Sequence, residues 1–245
     1  MTYVILILAS LWAGMQNALA GGGSFITLPS LMLTGMDAHA ANITSTIALF
    51  PAQIATGLTG RKLVSGTAGL TFRALVIISL IGGAAGAALL LITPPTFFAR
   101  LVPWLVLFAT LVFAWGSFGP RREGGRTLNR YGAAAAQSCI SIYGGYFGGG
   151  IGFLMLAALT ASGLALRAAG ASKNVLAAVM NASAVAIFLF SPEVRWLAAL
   201  VAASGAILGG VMGGLMLQKV NERLLRLLVV LIGIALTVGL FLRAP

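Results

Sequence analysis

Long stretches of this chain carry no charged residue, among them Met1 to Met36, Ala74 to Ala99 and Tyr131 to Leu166. Each is longer than the roughly 20 residues that a helix needs to cross a bilayer. Charged residues make up 8% of the 245 and hydrophobic ones 60%, whereas a soluble domain carries about 25% charge. The sequence therefore reads as an all-α polytopic membrane protein with about 8–10 hydrophobic segments, and it leaves no segment over for a soluble domain.

Glycine interrupts two of these runs. Gly21-Gly22-Gly23 breaks the first, and Gly148-Gly149-Gly150, followed by Gly152, breaks the third. Inside a helix each glycine costs about 1 kcal/mol relative to alanine. Adjacent glycines at membrane depth make sense where the backbone turns or offers its N–H groups to something.

The two breaks belong to a repeat. At an offset of 128, Gly21-Gly22 falls on Gly149-Gly150, Phe25 on Phe153, Leu31 on Leu159 and Gly35 on Gly163. At the same offset Thr44 falls on Ser172 and Gln53 on Asn181. At an offset of 127, Gly82, Gly83 and Gly86 fall on Gly209, Gly210 and Gly213. Residues 1–118 form a first membrane repeat, 119–130 a basic cytoplasmic linker rich in Gly, Pro and charge, and 131–245 a second repeat.

Each repeat reads as a long helix (Thr2 to Ala20; Gly132 to Phe147), a break, and a half-length helix (Ser24 to Leu33; Ile151 to Ala161). A helix opening on polar residues follows (Asn42 to Leu58; Ser172 to Phe190). Two plainer spans then complete the repeat (Leu70 to Ile92 and Leu101 to Phe118; Trp196 to Leu217 and Leu227 to Leu242). Eleven helical residues cover only about 16 Å, half the hydrocarbon core. The segments are thus glycine-broken or re-entrant.

The net charge of +11 reflects basic loops that orient helices rather than a nucleic-acid surface. If each broken segment returns to the side it left, the repeats are inverted, and twelve of the fifteen Lys and Arg lie on one side. Parallel repeats would split them nine to six. The positive-inside rule selects the inverted arrangement, with both termini extracytoplasmic. Ala18-Leu19-Ala20 has the small-x-small pattern of a signal-peptide cleavage site, but no basic residue precedes Arg61, so this segment is read as structure.

Broken helices in inverted repeats mark secondary transporters. Half-helix N-termini at Ser24 and Gly152 would offer free N–H groups and a positive dipole end to an anion. The candidate substrate-binding residues are Gly22, Gly23, Ser24, Thr44, Gln53, Gly149, Gly150, Gly152, Lys173 and Asn181. Asn181 and Gln53 can donate from their amides, and Lys173 either meets the anion or snorkels to the surface. All four acidic residues, Asp37, Glu123, Glu193 and Glu222, fall in expected loops, and His39 reads as a loop residue at the surface. One His and one Cys, with no buried carboxylate, supply no catalytic set, no metal site and no cofactor. Cys139 reads as a small packing residue. The glycine stripes at 82–86 and 209–213 read as helix-packing surfaces.

The motifs Gly21-Gly-Gly-Ser-Phe-Ile26 with Leu28-Pro29, Ala40-Ala-Asn-Ile-Thr-Ser45, Tyr143-Gly-Gly-Tyr-Phe-Gly-Gly-Gly-Ile-Gly152 and Ala169-Gly-Ala-Ser-Lys-Asn174, with the later Asn181, resemble those of the sulfite exporter TauE/SafE family. The resemblance spans nearly the whole chain. It implies a bacterial inner (plasma) membrane permease for sulfite or another sulfur-containing or organic anion. Many members carry Asp after the Tyr of the third motif. Gly144 stands here instead, so a role for an acidic group at that point does not carry over. The expected partners are a small anionic solute and the lipid bilayer, with no nucleic acid and with a homo-oligomer left open. The alternative reading is a membrane assembly subunit that moves no solute.

Overall fold

The computed structural model describes residues 2–19, 22–119, 128–216 and 222–243. Most of the expected linker, including Glu123, lies outside them. Among the described residues the chain forms ten α-helices and no strand. They are α1 (Thr2–Leu19), α2 (Ser24–Met32), α3 (Ala38–Gly60), α4 (Phe72–Ile92), α5 (Pro95–Phe118), α6 (Arg130–Tyr146), α7 (Ile151–Ala161), α8 (Leu166–Phe188), α9 (Trp196–Met216) and α10 (Glu222–Arg243). Four are long and apolar enough to cross a membrane: 72–92, 95–118, 166–188 and the 196–213 part of α9. α3 is as long, but His39, Asn42, Gln53 and five hydroxyl residues dilute its apolar character.

The distribution of side chains is that of a protein dissolved in lipid. Ser10, Gln16, Asn42, Thr44, Gln137, Ser141, Ser172 and Asn181 are buried, while Ile92, Trp115, Leu200 and Leu242 stand exposed on the outside. In water this arrangement would leave a large apolar surface uncovered. In a bilayer the polar groups turn inward to find each other and the apolar ones face acyl chains. The chain is a multi-pass membrane protein.

α1 packs along α9, α6 along α4, α3 along α8 and α5 along α10. Glycine makes the first two pairings close. A methyl group at Gly205, Gly209 or Gly213 would strike the carbonyl oxygens of Ile7, Leu11 and Met15, one turn apart on α1. On the other side, Gly82 and Gly86 face Ser141 and Ile142 of α6, and Gly145 of α6 faces the Gly83 carbonyl. Backbone-to-backbone approach of this kind is how small residues join helices where water provides no driving force.

Several helices start earlier than the sequence suggests, α10 among them, which begins at Glu222 rather than Leu227 and so takes in an acidic residue expected in a loop. α3 begins at Ala38 rather than Asn42, because the Asp37 side chain accepts hydrogen bonds from the His39 and Ala40 N–H groups and caps it. α8 begins at Leu166 rather than Ser172, which places Ser172 and Lys173 in its second turn. α5 begins at Pro95 rather than Leu101, with proline in the first turn where its missing N–H costs nothing. Two further expectations are corrected. His39 is 3% exposed, and Cys139 lies exposed on α6 instead of packing inside.

Candidate functional site

The two glycine breaks are built alike. Gly22 and Gly150 both adopt left-handed backbone, at φ 85° and 74°, a conformation that only glycine takes without strain. Gly35 and Gly163, which end the two half-length helices, do the same at φ 91° and 95°. The last turns of α1 and α6 each send a donor onto a break carbonyl six residues ahead. Gln16 Nε2 donates to Gly22 O at 3.3 Å, and Tyr143 Oη donates to Gly149 O at 2.9 Å. These bonds fix break carbonyls on the protein side. Among the described residues the N–H groups of Gly22, Gly23, Ser24, Gly149, Gly150 and Gly152 take no acceptor.

The breaks face one cavity of about 30 Å³. Gly22 and Ser24 of the first break line it, as do Gly148, Ile151 and Gly152 of the second. Asn17 closes it from α1, Gln53 and Thr56 from α3, and Lys173, Asn174 and Ala177 from α8. Five of the residues expected from sequence thus come together: Gly22, Ser24, Gln53, Gly152 and Lys173. Asn181 stands directly behind, where its Nδ2 donates to Gln53 Oε1 at 2.6 Å. That bond occupies the oxygen of Gln53. Gly23, Gly149 and Gly150 form the adjoining turns without lining the cavity.

Thr44 is placed elsewhere. Its hydroxyl accepts from the Arg195 N–H at 3.3 Å, bracing the approach to α9. Its counterpart Ser172 does the same work for the approach to α4, accepting from Ser65 N–H at 3.0 Å and donating to Ser65 O at 3.3 Å. Asn17 and Thr56 were not expected in the lining. The signal available for Asn17 is that it is the amide immediately before a glycine break.

The cavity is lined by one cationic side chain, Lys173. No carboxylate lines it, and among the described residues none lies within 4 Å of the Lys173 ammonium. Lys173 sits seven residues, about 10 Å, along α8 from Leu166. Asn17, Ser24, Gln53, Thr56 and Asn174 line the cavity with it, the Thr56 hydroxyl donating to Gln53 O at 2.9 Å. The described residues hold no cluster of three or more His, Cys, Asp or Glu that could bind a metal ion. A volume of this size holds a water or two.

Hydrogen bonds gather the connections into two ends. At one, Leu128 N–H donates to Ala161 O at 2.9 Å and Thr67 Oγ1 donates to Ser162 O at 2.6 Å. Arg61, Lys62, Arg73, Arg130 and Arg167 lie in or beside these connections. At the other, Tyr3, Thr34, Gly35, Asp37, Arg195 and Trp196 line a vestibule of about 480 Å³.

A helical membrane protein with a cationic, carboxylate-free cavity between two broken segments belongs to the class of polytopic transporters. More specifically, the chain belongs to the sulfite exporter TauE/SafE family, whose model matches residues 6–240. It is 28% identical over 236 residues to a "probable membrane transporter protein" of Haemophilus influenzae, covering 95% of this chain and 92% of that one. It is also 28% identical to the "probable membrane transporter protein YfcA" of Escherichia coli K12, over 96% of this chain and 88% of the relative. A "probable membrane transporter protein ORF9" of Sinorhizobium sp matches at 28% over 96% and 90%.

Proposed function

We propose that this protein is a secondary transporter that carries a small anion, sulfite or another sulfur-containing or organic anion, across the bacterial plasma membrane. The observation that carries the reading is the Lys173 ammonium, without a carboxylate partner, in a cavity lined by the starts of two half-length helices. Gly22, Ser24, Gly152 and Lys173 hold the anion, Gln53 presents its amide N–H groups, and Asn181 positions Gln53. Gly23, Gly149 and Gly150 supply further N–H groups as the loops adjust. A free N–H array at a helix start favours an oxyanion, and a nearby ammonium adds a charge-assisted bond.

The transport cycle follows from the arrangement of the two halves. We take 1–118 and 131–245 as inverted repeats joined by 119–130, with both termini outside the cytoplasm. Three observations support this. Exchanging α1–α5 for α6–α10 carries the main helix pairings onto one another. The start of α6 bonds to the end of α7, and Tyr3 of α1 shares the vestibule with Thr34 after α2. Each broken segment therefore returns to the end it left. Five basic residues gather at one end, which the positive-inside rule assigns to the cytoplasm. Rocking of one repeat against the other would then open the cavity to each side in turn.

The test is flux into proteoliposomes containing the purified protein, with sulfite, sulfate, thiosulfate, sulfonates and small carboxylates as substrates. Saturable flux of at least one of these anions is expected. No flux of any would favour the assembly-subunit reading. Impermeant cysteine labelling at both termini of intact cells checks the orientation.

A further inference from the structure

His39 is the one histidine in the chain, and its surroundings are unusual for a group at a helix start. Its ring is 3% exposed. Nε2 lies 2.9 Å from the Leu90 carbonyl at the end of α4. A carbonyl oxygen can only accept, so Nε2 carries a hydrogen. In the neutral ring Nδ1 is then a bare lone pair, and it points at Glu193 Oε2, 3.5 Å away in the α8–α9 connection. Nδ1 has no hydrogen-bond partner. Two acceptors thus face each other, one buried and one partly exposed, an arrangement that costs free energy until a proton comes between them.

We propose that the His39–Glu193 pair is a proton-binding site, and that its occupancy sets whether the vestibule is held closed. A proton taken up on Nδ1 makes the imidazolium. Its two N–H groups then bind Leu90 O and the Glu193 carboxylate together, tying α3, α4 and the α8–α9 connection into one unit. Loss of that proton leaves a lone pair against a carboxylate and loosens the connection, whose other tie to α3 is the Arg195 N–H to Thr44 Oγ1 bond. The residues that follow Glu193, from Val194 to Ala198, form one wall of the vestibule, and Thr34 to Asp37 form the facing one. The latch therefore acts directly on the opening. Closing favours proton uptake and proton uptake favours closing, to the same extent.

The other groups around the ring do not supply a competing charge. Asp37 caps α3 through Oδ1, which accepts from the His39 and Ala40 N–H groups at 2.9 and 3.0 Å. Arg195, two residues beyond Glu193, lines the vestibule with Asp37 and makes no ion pair with Glu193 within 4 Å. From α4 the ring meets only the Leu90 carbonyl, and from α5 it meets the edge-on Phe98 ring at 5.5 Å. No titratable side chain of α4 or α5 is recorded in contact with it.

This inference is independent of the anion reading, and so is its test. Cys139→Ala removes the native thiol, and Thr34→Cys places a fluorinated probe in the vestibule wall for ¹⁹F NMR in nanodiscs without any solute. Two probe environments are expected, with their ratio changing at least about threefold between about pH 5 and about pH 8, the range in which histidines titrate. The closed environment should gain at low pH. The change should vanish in His39→Gln and in Glu193→Gln. Glu193 is 31% exposed, so its amide variant keeps the fold. Absence of the change from the parent, or its persistence in either variant, overturns the proposal.

Discussion

Asn181 Nδ2 donates to Gln53 Oε1 at 2.6 Å across 128 residues of chain, the same separation that superimposes the two halves of the sequence. In the proposed arrangement, a residue that touches its own counterpart stands on the axis relating the repeats. α3 and α8, which carry the pair, pack along each other. The bond occupies the oxygen of Gln53 and leaves its amide hydrogens for the cavity.

Asn181→Leu is expected to lower flux at least about tenfold while the protein still folds, because a single interhelical bond within a membrane is worth only about 0.6 kcal/mol on average. Gln53→Leu should behave similarly. The double variant should be no worse than either alone, and a double-mutant cycle on flux should return a coupling near the whole single effect. Normal flux in well-expressed Asn181→Leu would remove the residue from the mechanism.

Lys173→Met keeps the length of the side chain and removes the ammonium. Charge-assisted hydrogen bonds contribute about 1.5–3 kcal/mol, so the apparent affinity for the transported anion should fall about ten- to a hundredfold. Lys173→Arg should retain part of it. Dose–response curves of flux read both variants. Unchanged affinity in Lys173→Met would show that the ammonium does not meet the solute.

Tyr143→Phe removes the donor that holds Gly149 O and adds no bulk. The expected loss of thermal stability corresponds to about 1 kcal/mol. A larger effect is expected on transport, because the second break is no longer pinned. Detergent melting curves and flux on one preparation separate the two. Gln16→Leu is the equivalent change at the first break.

Gly209→Ala inserts a methyl group where the Leu11 carbonyl already stands. The cost should be about 1–3 kcal/mol, seen as a lower melting temperature and poorer recovery from membranes. Gly170→Ala, where nothing lies within 4 Å, should be silent or slightly stabilising.

The charge-free runs and glycine breaks were sufficient to read the helices from sequence, because both signals are local. The break positions at 22–23 and 148–150 and the correspondence of Gln53 with Asn181 were legible through the internal offset, whereas the contact between the two amides was not. Thr44 was not: its hydroxyl is occupied by Arg195 N–H, 151 residues away, and nothing local separates a hydroxyl bracing a loop from one facing a solute. His39 was misread for a related reason. Next to Asp37 it resembles a loop residue, yet its ring is covered by Leu90 and Phe98 from helices far along the chain. Asn17 escaped notice because an amide at a helix end has many uses.

The close seating of α1 on α9 has a consequence for synthesis. Gly14 meets the Ala206 backbone, so α1 leaves the ribosome long before α9, the helix that covers this face. At 5–20 residues per second that interval is roughly ten to forty seconds. During it the nascent segment lies in lipid or against the insertion machinery with its glycine groove open, which makes this stage the most vulnerable to quality-control proteases.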